Sequence, residues 1–168
     1  MRTRLRKSRT VHTAFRLPPI FWEKTIANRM DTDPRYLHSE ITGKILEEFY
    51  RICNEIGYGF DIDVYKRALA IEIETLGLNC EIDKSVRLDY KGSEIGTFQM
   101  DLLVDNKVIV RLTDFDSIRL KDETALTNQL KMSDIEVGLL LNIHLEGSHK
   151  RKVYTNDLKK LASRVQNN

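Results

Sequence analysis

From Ser39 onward, apolar residues recur at helical spacing. Ile41, Ile45, Phe49, Ile52 and Ile56 form one stripe that Gly57-Tyr58-Gly59 interrupts, which predicts a helix with Ser39 as its N-cap. A second helix is predicted over about 61–77. Ile62, Tyr65, Leu69, Ile73 and Leu76 make one stripe, and Val64, Ala68 and Ile71 make another. Two stripes imply a helix buried on more than one side. Strands follow at about 81–90, 94–104 and 107–113, separated by Tyr90-Lys91-Gly92 and Asp105-Asn106-Lys107. A helix at about 117–132 has a modest apolar side of Ile118, Leu126 and Leu130. Val137 to Asn142 is continuously apolar until its last residue, the pattern of a strand covered on both faces. Residues 150–154 suggest an edge strand, and a basic helix at about 155–165 closes the chain. The order α-α-β-β-β-α-β-β-α predicts an α/β fold with a central mixed sheet flanked by helices.

The second and third strands carry the most information. With a three-residue turn at 105–107, Val104 faces Val108. Alternation then puts Met100, Leu102, Val104, Val108, Val110 and Leu112 on one apolar face. Gln99, Asp101, Leu103, Ile109, Arg111 and Thr113 fall on the other, with Asp101 directly across from Arg111. A cross-strand ion pair between those two is expected.

Length adds a boundary: 168 residues suit a tail at 1–37 and one domain at 38–168, long enough to bury a core. No apolar run approaches a membrane span. Cys53 and Cys80 form no C-x-x-C pair, and Cys53 lies on the first helix stripe, so a reducing compartment such as the cytoplasm fits. A net charge of +2 hides an uneven distribution. Residues 1–38 hold nine Lys/Arg against three Asp/Glu, 39–149 hold twelve against twenty-one, and 150–168 hold six against one. An acidic body with basic ends places any attraction to phosphate at the ends. These are Arg2, Arg4, Arg6, Lys7 and Arg9 at the start, and Lys150, Arg151, Lys152, Lys159 and Lys160 near the finish. The N-terminal stretch has three readings: a basic arm for nucleic acid or a partner, a transit peptide for an organelle, or an over-extended start ahead of Met30. Phe21 and Trp22 in that stretch either stack on bases or anchor the tail to the domain. His144 and His149 lack a third ligand at zinc spacing and read as surface residues.

Several segments in order then match a known family. They are ITGKILEEFYRICNEIGYG, VYKRALAIEIETLGL, the YKG turn at 90–92, the IG at 95–96, DLLVDNKVIV at 101–110 and EVGLLLN at 136–142. From about Glu40 to Tyr154 the chain resembles the GxxExxY proteins of the PD-(D/E)xK nuclease-like superfamily. The resemblance implies a restriction-endonuclease-like core with a site on the polar face of the hairpin. At the family's signature positions, Gly59 and Tyr65 are kept but Ile62 replaces the glutamate. Asp101 is kept, Arg111-Leu112-Thr113 stands in place of E-x-K, and Ala125 replaces a glutamine.

Hydrolysis of a phosphodiester in such a site needs several carboxylate oxygens around Mg²⁺ and a lysine to orient or deprotonate water. Asp101 alone is a weak ligand, and Arg111 would repel the metal by several kcal/mol at about 4 Å even at an effective dielectric near 20. The expectation is a degenerate site, without a resident cofactor, in a module that binds nucleic acid or a ribonucleoprotein through its basic ends. One alternative is a Mg²⁺- or Mn²⁺-dependent nuclease rearranged around Asp101, with Glu72, Glu123, Asp114 or Asp116 and Lys107 or Lys131 as substitutes. Another is a subunit that binds a protein partner or a second copy of itself, with no membrane role.

Overall fold

The computed structural model describes residues 37–144 and 147–159. Residues 1–36 of the predicted tail, with Arg2 to Arg9, Phe21 and Trp22, and Lys160 with the rest of the predicted C-terminal helix lie outside these residues; helix begins at residues 156–159.

Helix α1 (Ser39–Ile56) buries Ile45, Phe49, Ile52 and Cys53 on one side, as the stripe predicted, and leaves Ile56 exposed at its end. Its N-cap is His38 rather than Ser39: His38 has φ 57° and ψ 30° and makes no side-chain cap. Ser39 is already helical, and its carbonyl accepts a hydrogen bond from the Thr42 hydroxyl at 3.1 Å. Gly57, at φ 77°, closes α1 by donating its N–H to Cys53 O at 3.1 Å. Helix α2 (Ile62–Thr75) buries Tyr65, Lys66, Leu69, Ala70 and Ile73. Of the predicted second stripe only Ala68 packs against the core: Val64 is 43 % exposed and Ile71 62 %. α1 and the sheet cover only one side of α2, so apolar periodicity on its far side reports no core.

The strands are β1 (Cys80–Tyr90), β2 (Ser93–Val104), β3 (Val108–Thr113), β4 (Val137–Asn142) and β5 (Ser148–Val153), with α3 (Leu120–Lys131) between β3 and β4. They form one five-stranded mixed sheet in the order β1-β2-β3-β4-β5. Pairing is antiparallel except between β3 and β4, which run parallel and are joined through α3. β4 is buried along its whole length, as its unbroken apolar run predicted.

Two apolar layers hold the sheet. On one face, Leu102, Val104, Val108, Val110, Leu112, Val137, Leu139 and Leu141 pack against Ile45, Phe49, Tyr65, Leu69 and Ile73 of α1 and α2. On the other, Leu103, Ile109 and Leu140 pack against Leu126 and Leu130 of α3. There Gly138 lets the helix come close, since a Cβ at that position would lie 2.7 Å from Leu126 Cδ1. Both cysteines are buried and free. Desolvation pushes the Cys53 thiol up to about 12 and the Cys80 thiol up to about 11, which keeps both as inert thiols at neutral pH.

Met100 departs from the face that alternation assigned to it. It packs under α3 with Leu103 and Ile109, not with Leu102 and Val104. The reason lies in β1, where Asp83 has φ 52°. The β1–β2 ladder pairs Ile82 with Leu102 and Lys84 with Met100 but records no pair between Asp83 and Asp101. Alternation reverses across that kink, which brings Met100 to the face of Leu103 and Ile109, and α3 buries that face where a polar one was expected.

Candidate nuclease-like site

The turn at 105–107 sets the frame. Asp105 and Asn106 adopt φ of 51° and 52°, and the Lys107 N–H donates to Val104 O at 2.9 Å. Val104 therefore faces Val108, and Leu103 and Leu102 face Ile109 and Val110, the register read from the sequence. The ladder stops there. One residue further, Asp101 Oδ2 accepts the Leu112 N–H at 2.8 Å, so a side chain takes the role of a strand carbonyl.

The expected ion pair between Asp101 and Arg111 does not form. No hydrogen bond or salt bridge within the described residues joins them, and the buried Nε of Arg111 has no partner. The charges still feel one another. Burial raises the Asp101 carboxyl above its ordinary value, while the Leu112 amide, Arg111 and Lys66 pull it down and Asp83 pushes it up.

Lys66 and Asp83 are the neighbours that the motif reading missed. Lys66 is buried on α2 and donates to Asp63 Oδ1 and Asp83 Oδ1, each at 2.7 Å. Burial pulls its ammonium down, but the bonds to those two carboxylates outweigh it and the group is raised. A signal existed: Lys66, Ala70 and Ile73 fall at helical spacing on the buried side. Asp122 was also missed. It is buried in the first turn of α3, holds Arg119 through bonds of 2.8 and 3.2 Å, and feels Arg111 as well. Its hydrogen bonds from Arg119 hold its carboxyl below the usual range.

Ile62 opens α2, partly buried against the core. Thr113 is buried, and its hydroxyl donates to Asn142 Oδ1 at 3.1 Å, tying the ends of β3 and β4. Ala125 is half-buried on α3. One turn on, Gln129 donates to Gln99 O at 2.9 Å while its Oε1 has no partner. The suggested substitute ligands have partners elsewhere. Glu72 binds Arg51, Glu123 binds Lys150 and Lys152, and Asp116 lies 3.3 Å from His144 Nε2. Asp114 is exposed beyond β3, Lys107 is exposed in the turn, and Lys131 sits 5.4 Å from the Tyr154 ring centre.

The donor set does not fit Mg²⁺. Asp101 supplies one carboxylate, half of it bound to a backbone amide, and both Arg111 and Lys66 bring positive charge to bear on it. Among the described residues, no three His, Cys, Asp or Glu side chains gather as a metal group.

The basic residues near the finish are spread over several contacts. Lys150 and Lys152 on β5 share Glu123. Arg151 donates to Leu37 O, and Lys159 donates to the carbonyls of Ser133 and Ile135 at 2.7 and 2.8 Å. His149 Nδ1 lies 2.7 Å from the Tyr50 hydroxyl. Among the described residues, no helix is long and apolar enough to cross a membrane.

A family model described as the PD-(D/E)XK nuclease superfamily matches residues 39–153. No curated protein matches the chain. Among solved structures, the crystal structure of SSO0001 is similar at 16 % identity and a TM-score of 0.45, over 62 % of this chain and 55 % of that one. This chain thus spans about half the length of that relative.

Proposed function

The chain belongs to the PD-(D/E)XK nuclease superfamily, and from that premise we propose that it is a GxxExxY-type member that has given up metal-dependent hydrolysis and works by binding nucleic acid or a ribonucleoprotein. The observation that carries this reading is the commitment of Asp101 to the Leu112 amide, with Arg111 and Lys66 as its charged neighbours. A carboxylate used to hold two strands together serves the fold, and cations beside it oppose a second cation.

Binding would fall to the basic ends: Arg2, Arg4, Arg6, Lys7 and Arg9, with Lys150, Arg151, Lys152, Lys159 and Lys160. The pairing of Lys150 and Lys152 with Glu123 is no obstacle. Water reaches both ammonium groups, so such pairs are weak and phosphate competes for the same lysines.

A second reading has one observation in its favour. Lys66, Asp83 and Asp101 bring a lysine and two carboxylates together at a kink, the residue types of a metal-dependent nuclease in a new arrangement.

One experiment separates the two. The chain is melted with Mn²⁺ or Mg²⁺ against EDTA, as wild type and as Asp101→Ala, and its affinity for RNA and DNA oligonucleotides is measured against salt. The binding reading expects no metal-dependent shift, an affinity that falls steeply with salt, and loss of binding on removal of residues 1–16. A stabilisation of about 2.7 kcal/mol at a hundredfold excess over the dissociation constant, absent in Asp101→Ala, would establish the rearranged metal site instead.

A further inference from the structure

We propose that the open groove between the β1–β2 hairpin and the C-terminal end of α3 holds an acidic peptide segment of a protein partner, anchored by a large apolar side chain. The groove measures about 630 Å³, within the range of pockets that enclose a compact ligand. Its apolar lining is Val86 on the hairpin above buried Met100 and Leu103, with Met132 and Ile135 at and just beyond the helix end. Lys84, Lys131 and Lys159 stand around it, opposed by Asp134 as the one acidic lining residue. Met100 reaches this groove because of the reversal at Asp83 and Asp101, which brings it to the α3 side.

The lysines have capacity to spare. Lys159 uses two of its three donors on the carbonyls of Ser133 and Ile135. Lys131 makes no ion pair among the described residues and rests near the Tyr154 ring. Lys84 bonds Glu81 at 2.9 Å and Asn106 at 3.5 Å, contacts that an exposed ammonium exchanges at little cost.

Peptide fits these walls better than nucleic acid. No aromatic ring lines the groove, so bases find no stacking platform. The cations surround one depression instead of tracing a backbone path. The exposed Met132 gives a flexible apolar surface that accommodates side chains of different shape. This inference shares Lys159 with the basic ends but stands without nucleic-acid binding by them; resting on that reading as well, it supplies a route by which one module joins a protein to a nucleic acid.

The test is selection of a displayed library of short random peptides on the full chain. Enriched sequences should join Asp or Glu to Leu, Ile, Met or Phe. A labelled synthetic peptide of the enriched sequence should bind saturably. Its affinity should drop about tenfold or more in Met132→Glu and in Lys131→Glu, a change of about 1.4 kcal/mol. Both residues are exposed, so the fold should survive and an unfolding midpoint checks it. Leu120→Glu, on exposed surface at the opposite end of α3, should leave binding unchanged. No enrichment, enrichment of basic sequences, or binding that survives both groove variants would overturn the proposal. So would a single-stranded oligonucleotide that displaces the peptide and itself depends on Met132, since the groove would then belong to nucleic acid.

Discussion

Under α1 and α2 the sheet is sealed by one continuous apolar layer that runs from Ile45 through Leu69 and Leu102 to Ile143. Under α3 a smaller apolar cluster around Leu126 and Leu140 shares the surface with buried Asp122 and Gln129, the unpartnered Nε of Arg111, and an open groove. The same strands serve both faces, so the difference comes from what covers them. Among the described residues, two helices close one face, and one helix of twelve residues with the first turn of helix at 156–159 covers the other. Stability is concentrated where closure is complete. Open space gathers where it is not, and that is where binding has room to evolve, while buried polar side chains occur on both faces, Thr42, Glu48 and Lys66 among them on α1 and α2.

The largest effect should come from testing the two faces through near neighbours on one strand. Leu102 and Met100 are both buried, but Leu102 faces the sealed layer and Met100 the groove. Leu102→Ala should cost about 3–5 kcal/mol, because rigid packing on every side prevents collapse around the cavity. Met100→Ala should fall near 2 kcal/mol, because water entering from the groove fills part of the space. Denaturant midpoints measure both, and equal costs would erase the contrast between the faces.

The fold was more legible than the site, for reasons visible in particular residues. The turn at Asp105-Asn106-Lys107 and the apolar run at Val137–Leu141 specify register and burial locally, so both were readable. Met100 was misplaced because alternation counts residues and cannot see a residue such as Asp83 with φ 52°. The exposed Val64 and Ile71 show that periodicity reports amphipathicity without reporting coverage. At the site, motif positions located Asp101 and Arg111 correctly on facing strands. The bond to the Leu112 amide, and the arrival of Lys66 from α2, depend on three-dimensional arrangement that no spacing encodes.

An intermediate effect should appear at Asp101, where the two faces exchange. Asp101→Ala removes the acceptor for the Leu112 N–H and should cost about 1–3 kcal/mol. Asp101→Asn keeps a carbonyl oxygen there and removes the charge. Burial raises the native carboxyl, so the folded state holds a proton over a pH window in which the unfolded chain has lost it. Ionised Asp101 therefore opposes folding: its penalty grows as pH rises from the ordinary aspartate value through the raised one, and is relieved on the way back down. Stability relative to wild type should favour Asp101→Asn more at neutral pH than at the acid end of that window. Difference curves from denaturation across pH would show it, and a flat difference would mean that the carboxyl is not desolvated.

The smallest effect should be at Arg111, and its sign carries the argument. Were Arg111 part of a structural ion pair with Asp101, removing it would strand a buried carboxylate at a cost of about 3–5 kcal/mol. The geometry shows instead a half-buried guanidinium whose Nε meets no acceptor, influencing Asp101 and Asp122 only through space. Arg111→Met keeps the apolar stem, frees the buried Nε of its unmet bond, and should change stability by less than about 1 kcal/mol. It should also raise the Asp101 carboxyl further, by removing one of the influences that lower it, and so shift the wild-type pH window upward. A large loss of stability in this variant would restore the ion pair as the purpose of Arg111. A near-neutral one leaves its charge available for something outside the fold, on the face that the helices leave open.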